Sequence, residues 1–233
     1  MNKELTIVKI GGKVIDDEAS LEQFLIDYGS FHGQTILVHG GGKIASDIGE
    51  KMGIEPVYHE GRRITDKATL DLVTMVYGGL INKKIVATIQ TLGINAIGLT
   101  GADGNVLKAN KRPVKEIDYG FAGDVSVDSV NTVALNKLLN AGFSPVMCTL
   151  THDGNGSILN TNADTIASIL AAALSKSYDV VELVYCFEQP GVLEDLESKK
   201  VIPHIEEAKY ITLKAQGEIN EGMLHIMDTA LDA

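Results

Sequence analysis

The chain has 233 residues, 45% of them hydrophobic and 22% charged, with a formal net charge of -11 at pH 7. That length can bury a full core as one large α/β domain or as two fused lobes, and the composition argues against disorder. The acidic balance argues against a non-specific nucleic-acid binder, which needs a basic face, so anionic ligands must be held by a few placed cations and amides.

The N-terminus carries Lys3 and Glu4 and leads straight into a strand pattern, so no signal peptide is expected. The longest apolar helical run, 166–174, is interrupted by Ser168 and is too short for a bilayer. A cytoplasmic protein with no membrane partner is the expectation. Cys148 and Cys186 sit in apolar runs and read as buried thiols of a reducing compartment, a disulfide being the less favoured reading.

In chain order, 5–10 is an apolar strand closing on Gly11-Gly12, and 19–28 has helical spacing. Residues 35–38 form a second strand that runs into His39-Gly40-Gly41-Gly42 and a helix. From Asp66 a long helical pattern reaches about Leu92, with Thr65 or Asp66 as its N-cap. A strand at 95–99 precedes hairpins in 101–124, a helix at 130–141 and a strand at 143–149. Asp153-Gly154-Asn155-Gly156 is a tight turn, 162–175 a helix and 179–187 a buried strand; helical stretches at 206–214 and 221–231 follow. The alternation predicts an α/β, three-layer αβα sandwich around an open, mostly parallel sheet. Ligands of such sheets bind beyond the C-terminal ends of the strands. A seam is expected near residue 160, dividing lobes 1–160 and 161–233.

Each glycine elbow delivers a strand end to backbone amides and a helix N-terminus, which suits an anion. Residues 40–45 formally fit the dinucleotide fingerprint, with Glu60 as the ribose ligand, so a dehydrogenase is a rival. It is weakened because the elbow belongs to the second strand-helix unit and Glu60 is followed by Gly-Arg-Arg. The Walker pattern fails at Leu37 and Ile44. Two elbows on neighbouring parallel strands would face a common point and suit a transferring phosphoryl group, whose charge needs donors from several sides. Lys9, on the strand before the first elbow, is the candidate cation.

Lys9-x-Gly11-Gly12, His39-Gly40-Gly41-Gly42, Gly61-x-Arg63-Ile64-Thr65 and Asn160-x-Asn162-Ala163-Asp164 together resemble the amino-acid kinase family, in particular its N-acyl-glutamate kinases. Asn82-Lys83 and the stretches 120–125 and 142–146 support the resemblance, which extends to about Met223. It implies an acyl-amino-acid lobe, a nucleotide lobe, and transfer of the γ-phosphoryl of MgATP to the side-chain carboxylate of an acetyl- or succinyl-glutamate, in arginine biosynthesis. Lys9 would bridge the phosphoryl, oriented by Asp164, with the Gly12 and Gly42 amides on its oxygens. Gly41, Arg63, Asn160 and Asn162 would hold the acceptor, and Gly11 and Gly191 would lie at the nucleotide. A carboxylate nucleophile is already ionised, so no general base is needed. Magnesium would be held mainly by the nucleotide phosphates, with no protein metal ligand assigned.

The sequence departs from the family in three places. Ile226 stands where a second phosphate-binding lysine is expected, and His225 is one place off. Around Cys186-Phe187-Glu188 the expected Ser/Thr-Asp pair is replaced, with Gly191-Val192-Leu193 retained. The chain ends at Ala233, short of the family's closing strand-helix-strand portion. A non-catalytic or weakly active acyl-amino-acid binder, or another carboxylate or carbamate kinase, therefore stands as the alternative. The apolar surplus of the helix from Asp66 (Leu70, Leu72, Val73, Val76, Leu80, Ile81) reads either as a buried helix or as a homodimer seam. With no helix ahead of the first strand, a dimer without arginine control is expected.

Overall fold

The computed structural model describes residues 3–193, 200–216, 219, 223–224, 227–228 and 231. Five parallel strands form the central sheet: β1 (Glu4–Ile10), β2 (Gln34–His39), β3 (Ala96–Leu99), β4 (Ser144–Cys148) and β5 (Val180–Cys186), in the order β5-β1-β2-β4-β3. The central strands β1, β2 and β4 are nearly continuous buried runs, as a parallel sheet covered on both faces requires. The helices are α1 (Gly12–Asp16), α2 (Glu18–Tyr28), α3 (Gly42–Lys51), α4 (Lys67–Thr91), α5 (Thr132–Asn140), α6 (Ala163–Leu174) and α7 (Glu207–Gln216).

Strand periodicity assigns each polar side chain on β1 and β2 to a layer. Leu5 and Ile7 point into the core under α6, whereas Val8 and Ile10 join the core under α1–α4. Lys9 shares a face with Leu5 and Ile7 because alternate residues share a side, and so it meets α6. On β2, Ile36 and Val38 go with the α6 core and Leu37 with the other, which sends His39 toward α4. Two hydrophobic clusters thus flank one sheet.

As far as α7, the expected strands and helices form within a residue or two of their anticipated bounds; β5, anticipated as buried, is only partly covered because it ends the sheet order among the described residues, and four further features differ. First, α1 follows Gly11 directly; its five residues are too few for a periodic pattern. Second, Tyr58–His59 and Arg62–Arg63 form an antiparallel hairpin around Glu60 and Gly61, at φ 48° and 71°. Both turn residues have positive φ, as a two-residue hairpin whose twist matches its strands demands. The absence of a long apolar run hid it. Arg62 is half-buried, and desolvation pulls its guanidinium below its ordinary pKa.

Third, α4 is capped by Asp66, whose Oδ1 accepts from the Thr69 amide at 2.8 Å, and winds into π-helical turns over Thr74–Ile81. Those turns hold Val76, Tyr77 and Ile81 in the core along with Leu70, Leu72 and Val73, so most of the apolar surplus is a broadened core face. Met75 and Leu80 stay exposed. Fourth, this 25-residue helix is long and apolar enough to cross a membrane by length and composition, unlike the shorter run considered from the sequence. It carries Lys83 and Lys84 and packs its apolar face on the sheet, so it is a core helix.

The anticipated seam at residue 160 falls at the end of a strand pair, Leu150–His152 with Ile158–Asn160. The sheet itself runs through the division: β5, from the C-terminal portion, pairs along the whole of β1. Both cysteines are free; Cys148 is buried as anticipated, which pushes its thiol up to about 12, whereas Cys186, on the strand that ends the sheet order, is only partly buried. Within the last anticipated helix, Ile226, Gly222 and His225 lie outside the described residues.

Candidate active site

The two elbows meet where β1 and β2 end side by side, with Ile10 opposite His39. At the first, Lys9 is buried and its Nζ lies 2.8 Å from Asp164 Oδ1 in the first turn of α6. Asn162 is the N-cap that starts that turn, its Oδ1 accepting from the Thr165 amide at 3.0 Å. One cap residue thereby sets the position of the carboxylate that holds Lys9. The Thr165 hydroxyl also donates to Asn162 Oδ1 at 3.4 Å, so both lone pairs of that oxygen are engaged and the Asn162 NH2 is what remains for the acceptor role anticipated for it.

Gly11 and Gly12 have different duties. The Gly11 amide donates to Cys186 O at 2.8 Å, extending the β1–β5 pairing by one bond. That amide is therefore committed to the sheet. Gly12 opens α1, where a first-turn amide has no partner within the helix.

At the second elbow Gly41 adopts φ 147°, and a Cβ there would lie 2.1 Å from Ile81 Cδ1 and 3.2 Å from Tyr77 Cδ1. The backbone must be bare to turn so close under the π-helical part of α4. Gly42 then opens the ten-residue helix α3.

Arg63 is 8% exposed and is drawn to this elbow. Its Nη2 donates to Gly42 O at 2.7 Å, to Ser46 Oγ at 2.9 Å and to the Tyr58 hydroxyl. The hairpin sets Tyr58 directly across from Arg63, and the guanidinium lies 4.8 Å from the ring centroid. The other fork nitrogen, Nη1, is buried and has no hydrogen-bond partner among the described residues. Nearby, the Asn160 carboxamide donates to Thr65 Oγ1 at 3.1 Å, and the Asn160 amide donates to Phe121 O at 2.8 Å. Gly191, at φ 157°, packs against Val201 in the segment after β5, a Cβ there falling 2.7 Å from Val201 Cγ1.

His39 is fully buried and acts as a brace. Its Nδ1 pairs with Gly40 O at 2.9 Å, and its Nε2 with Asn82 Nδ2 at 3.0 Å. The carbonyl can only accept and the carboxamide NH2 can only donate, so the ring is the neutral Nδ1–H tautomer. Desolvation pulls its pKa down to about 4. Asn82 also donates to Val146 O at 2.9 Å, tying α4 to the ends of β2 and β4.

Tyr58, Ser46 and Tyr77 around Arg63 were not anticipated. The usable signal was Glu60-Gly61, whose turn geometry pairs Tyr58 with Arg63; for Tyr77 no local signal exists.

The site therefore offers a buried ammonium held by a carboxylate, helix-opening glycines at two adjacent strand ends, and a buried guanidinium with one free edge. The model of the amino acid kinase family matches residues 4–233. The chain belongs to the amino acid kinase family. It is 51% identical to an acetylglutamate kinase of Bacteroides fragilis across all of this chain and 88% of that one. To an acetylglutamate kinase of Cytophaga hutchinsonii it is 53% identical, across 99% of this chain and 87% of the relative. Among solved structures, a Streptococcus mutans UA159 protein superposes with a TM-score of 0.76 at 23% identity, covering 98% of this chain and 89% of the other. That last likeness concerns the fold alone. Family membership makes the chain a phosphotransferase and removes the dehydrogenase reading; Glu60 sits in the hairpin turn.

Proposed function

We propose that this chain transfers the γ-phosphoryl group of MgATP to the side-chain carboxylate of an N-acyl-L-glutamate, the acetyl form being the one named in its relatives and the succinyl form the other candidate. The reaction belongs to arginine biosynthesis. The observation that carries this reading is Arg63, a buried guanidinium fixed through one nitrogen to the second elbow while the other lacks a partner. An unsatisfied buried charge is costly, and a planar fork with one open edge suits a ligand carboxylate.

In this reading Arg63, Gly41, Asn160 and the NH2 of Asn162 hold the acceptor. The acceptor's side-chain carboxylate is ionised at neutral pH, so the protein supplies position and charge neutralisation and no base. Lys9, held by Asp164, neutralises the phosphoryl group in flight, and the Gly12 and Gly42 amides meet its oxygens. Magnesium enters on the nucleotide phosphates, and no side chain is assigned to hold it. Gly191 is kept as a nucleotide-side residue, and 161–233 as the nucleotide-binding portion. Met75 and Leu80, exposed on α4, support a homodimer seam on that helix. The reading puts the enzyme in the cytoplasm.

Hydroxylamine trapping of acyl phosphate, run with MgATP and either acetyl- or succinyl-glutamate, tests the activity, and the preferred acyl group gives the higher kcat/KM. No hydroxamate from either acceptor overturns catalysis. Ile226, at the expected place of the second lysine, favours a second reading in which the chain binds the acyl-amino acid without turnover. Calorimetry separates the two: acyl-glutamate binding without nucleotide binding supports the second.

A further inference from the structure

The Lys9 ammonium is already matched by Asp164, so the pair brings little net charge to a site that must accept a polyphosphate. A second cation stands one residue past the first elbow. Lys13 Nζ lies 2.6 Å from Glu188 Oε1, with side chains 72% and 41% exposed. Glu188 follows β5 by two residues, and the bond from the Gly11 amide to Cys186 O fastens these two segments at the elbow. Lys13 lowers the Glu188 pKa through their hydrogen bond and charge, and Lys9 lowers it further. One carboxylate is thus placed in the field of both lysines, at the strand ends where an anion is expected.

We propose that Lys13 is a nucleotide-phosphate-binding residue and that Glu188 is a resident anion which the incoming phosphates displace. The inference rests on the phosphotransferase reading above and assigns that site a second cation. The lysine side chain is exposed and tethered only by a surface ion pair, so exchanging one anion for another requires no rearrangement of the core. Lys43, the matching residue after the second elbow, is a weaker choice. Both it and Asp47 act on Asp16, so acidic groups already surround it, and its elbow is the one that Arg63 joins.

The test measures binding of the magnesium complex of a non-hydrolysable ATP analogue by calorimetry on the full chain, alongside binding of acetyl- and succinyl-glutamate. Lys13→Met weakens analogue affinity by about tenfold or more, the loss expected for one charge-assisted hydrogen bond. Affinity for the acyl-glutamate that the parent binds stays within about twofold, and Lys13→Arg recovers most of the loss. Glu188→Gln tightens the analogue in the parent and has a smaller effect in the Lys13→Met background. Unchanged analogue affinity in Lys13→Met overturns the inference, as does weaker binding in Glu188→Gln, which would make the pair merely structural. Thermal melts confirm that each variant is folded. A parent that binds analogue and acyl-glutamate while Lys13→Met matches it leaves the phosphotransferase reading standing; a parent that binds no nucleotide removes that reading, and this inference with it.

Discussion

The two glycine elbows look alike in sequence and are built for different reasons. At Gly11-Gly12 the chain keeps ordinary backbone angles, and the first glycine is fixed by pairing with Cys186 on β5. At Gly40-Gly41-Gly42 the middle glycine turns to φ 147° under Ile81 and Tyr77, where no side chain fits. The first elbow is the end of a central strand, stitched to the C-terminal portion of the chain. The second is a steric fit beneath α4. In the proposed reaction, phosphate chemistry near the first would therefore depend on charge, through Lys9, Asp164, Lys13 and Glu188, whereas acceptor binding near the second would depend on shape and on the Arg63 fork.

Substitutions can break this contrast. Gly41→Ala combines a disallowed backbone angle with a Cβ inside Ile81, and is expected to destabilise the fold by about 3–5 kcal/mol, read by urea denaturation. A loss below about 1 kcal/mol would remove the steric account of the second elbow. Lys9→Met is expected to lower kcat by roughly 10²–10³, the scale for losing one charge stabiliser of the transition state, in the hydroxamate assay. Equal loss of acceptor affinity would instead place Lys9 with Arg63.

His39 offers a test by pH. Its folded pKa of about 4 lies below the ordinary value of 6.5, so between those values the unfolded chain holds the extra proton. Its contribution is full above pH 6.5 and is lost as pH falls toward 4, by about 3 kcal/mol. The imidazole resonances, followed by NMR, should place its midpoint near the lower value, while urea melts trace the decline. A midpoint near 6.5 would mean that the brace to Asn82 is not buried. The smallest effect is expected at Gly40, where a Cβ would meet nothing within 4 Å. Gly40→Ala should change stability by about 0.5 kcal/mol or less. Gly11→Ala should fall between, since its Cβ would meet Cys186 O at 3.3 Å.

Much of the molecule is legible without coordinates. Apolar runs ending in glycine mark β1 and β2, periodic spacing marks α4, and the Asn162–Asp164 cluster declares a helix start. Lys9 and Arg63 are recognisable from motif order. What cannot be read locally is how a group is engaged. Nothing near Gly11 says that its amide belongs to Cys186, and nothing near Asn82 says that it braces His39. Those bonds join residues 175 and 43 positions apart, so only the packing of the sheet brings them together.

The division follows from the range of the forces. By itself the sequence determined the strand and helix pattern, the presence of two glycine elbows and, in Lys9, a candidate cation beside the first. These depend on neighbours within a turn or a strand, through side-chain periodicity, capping and glycine's backbone freedom. Tertiary structure decided which amides remain available, that one guanidinium nitrogen stays unpaired, and which lysine meets Asp164 and which meets Glu188. Parallel strands bring their ends together only after the helices between them have packed, so the chemistry at those ends is a property of the assembled sheet.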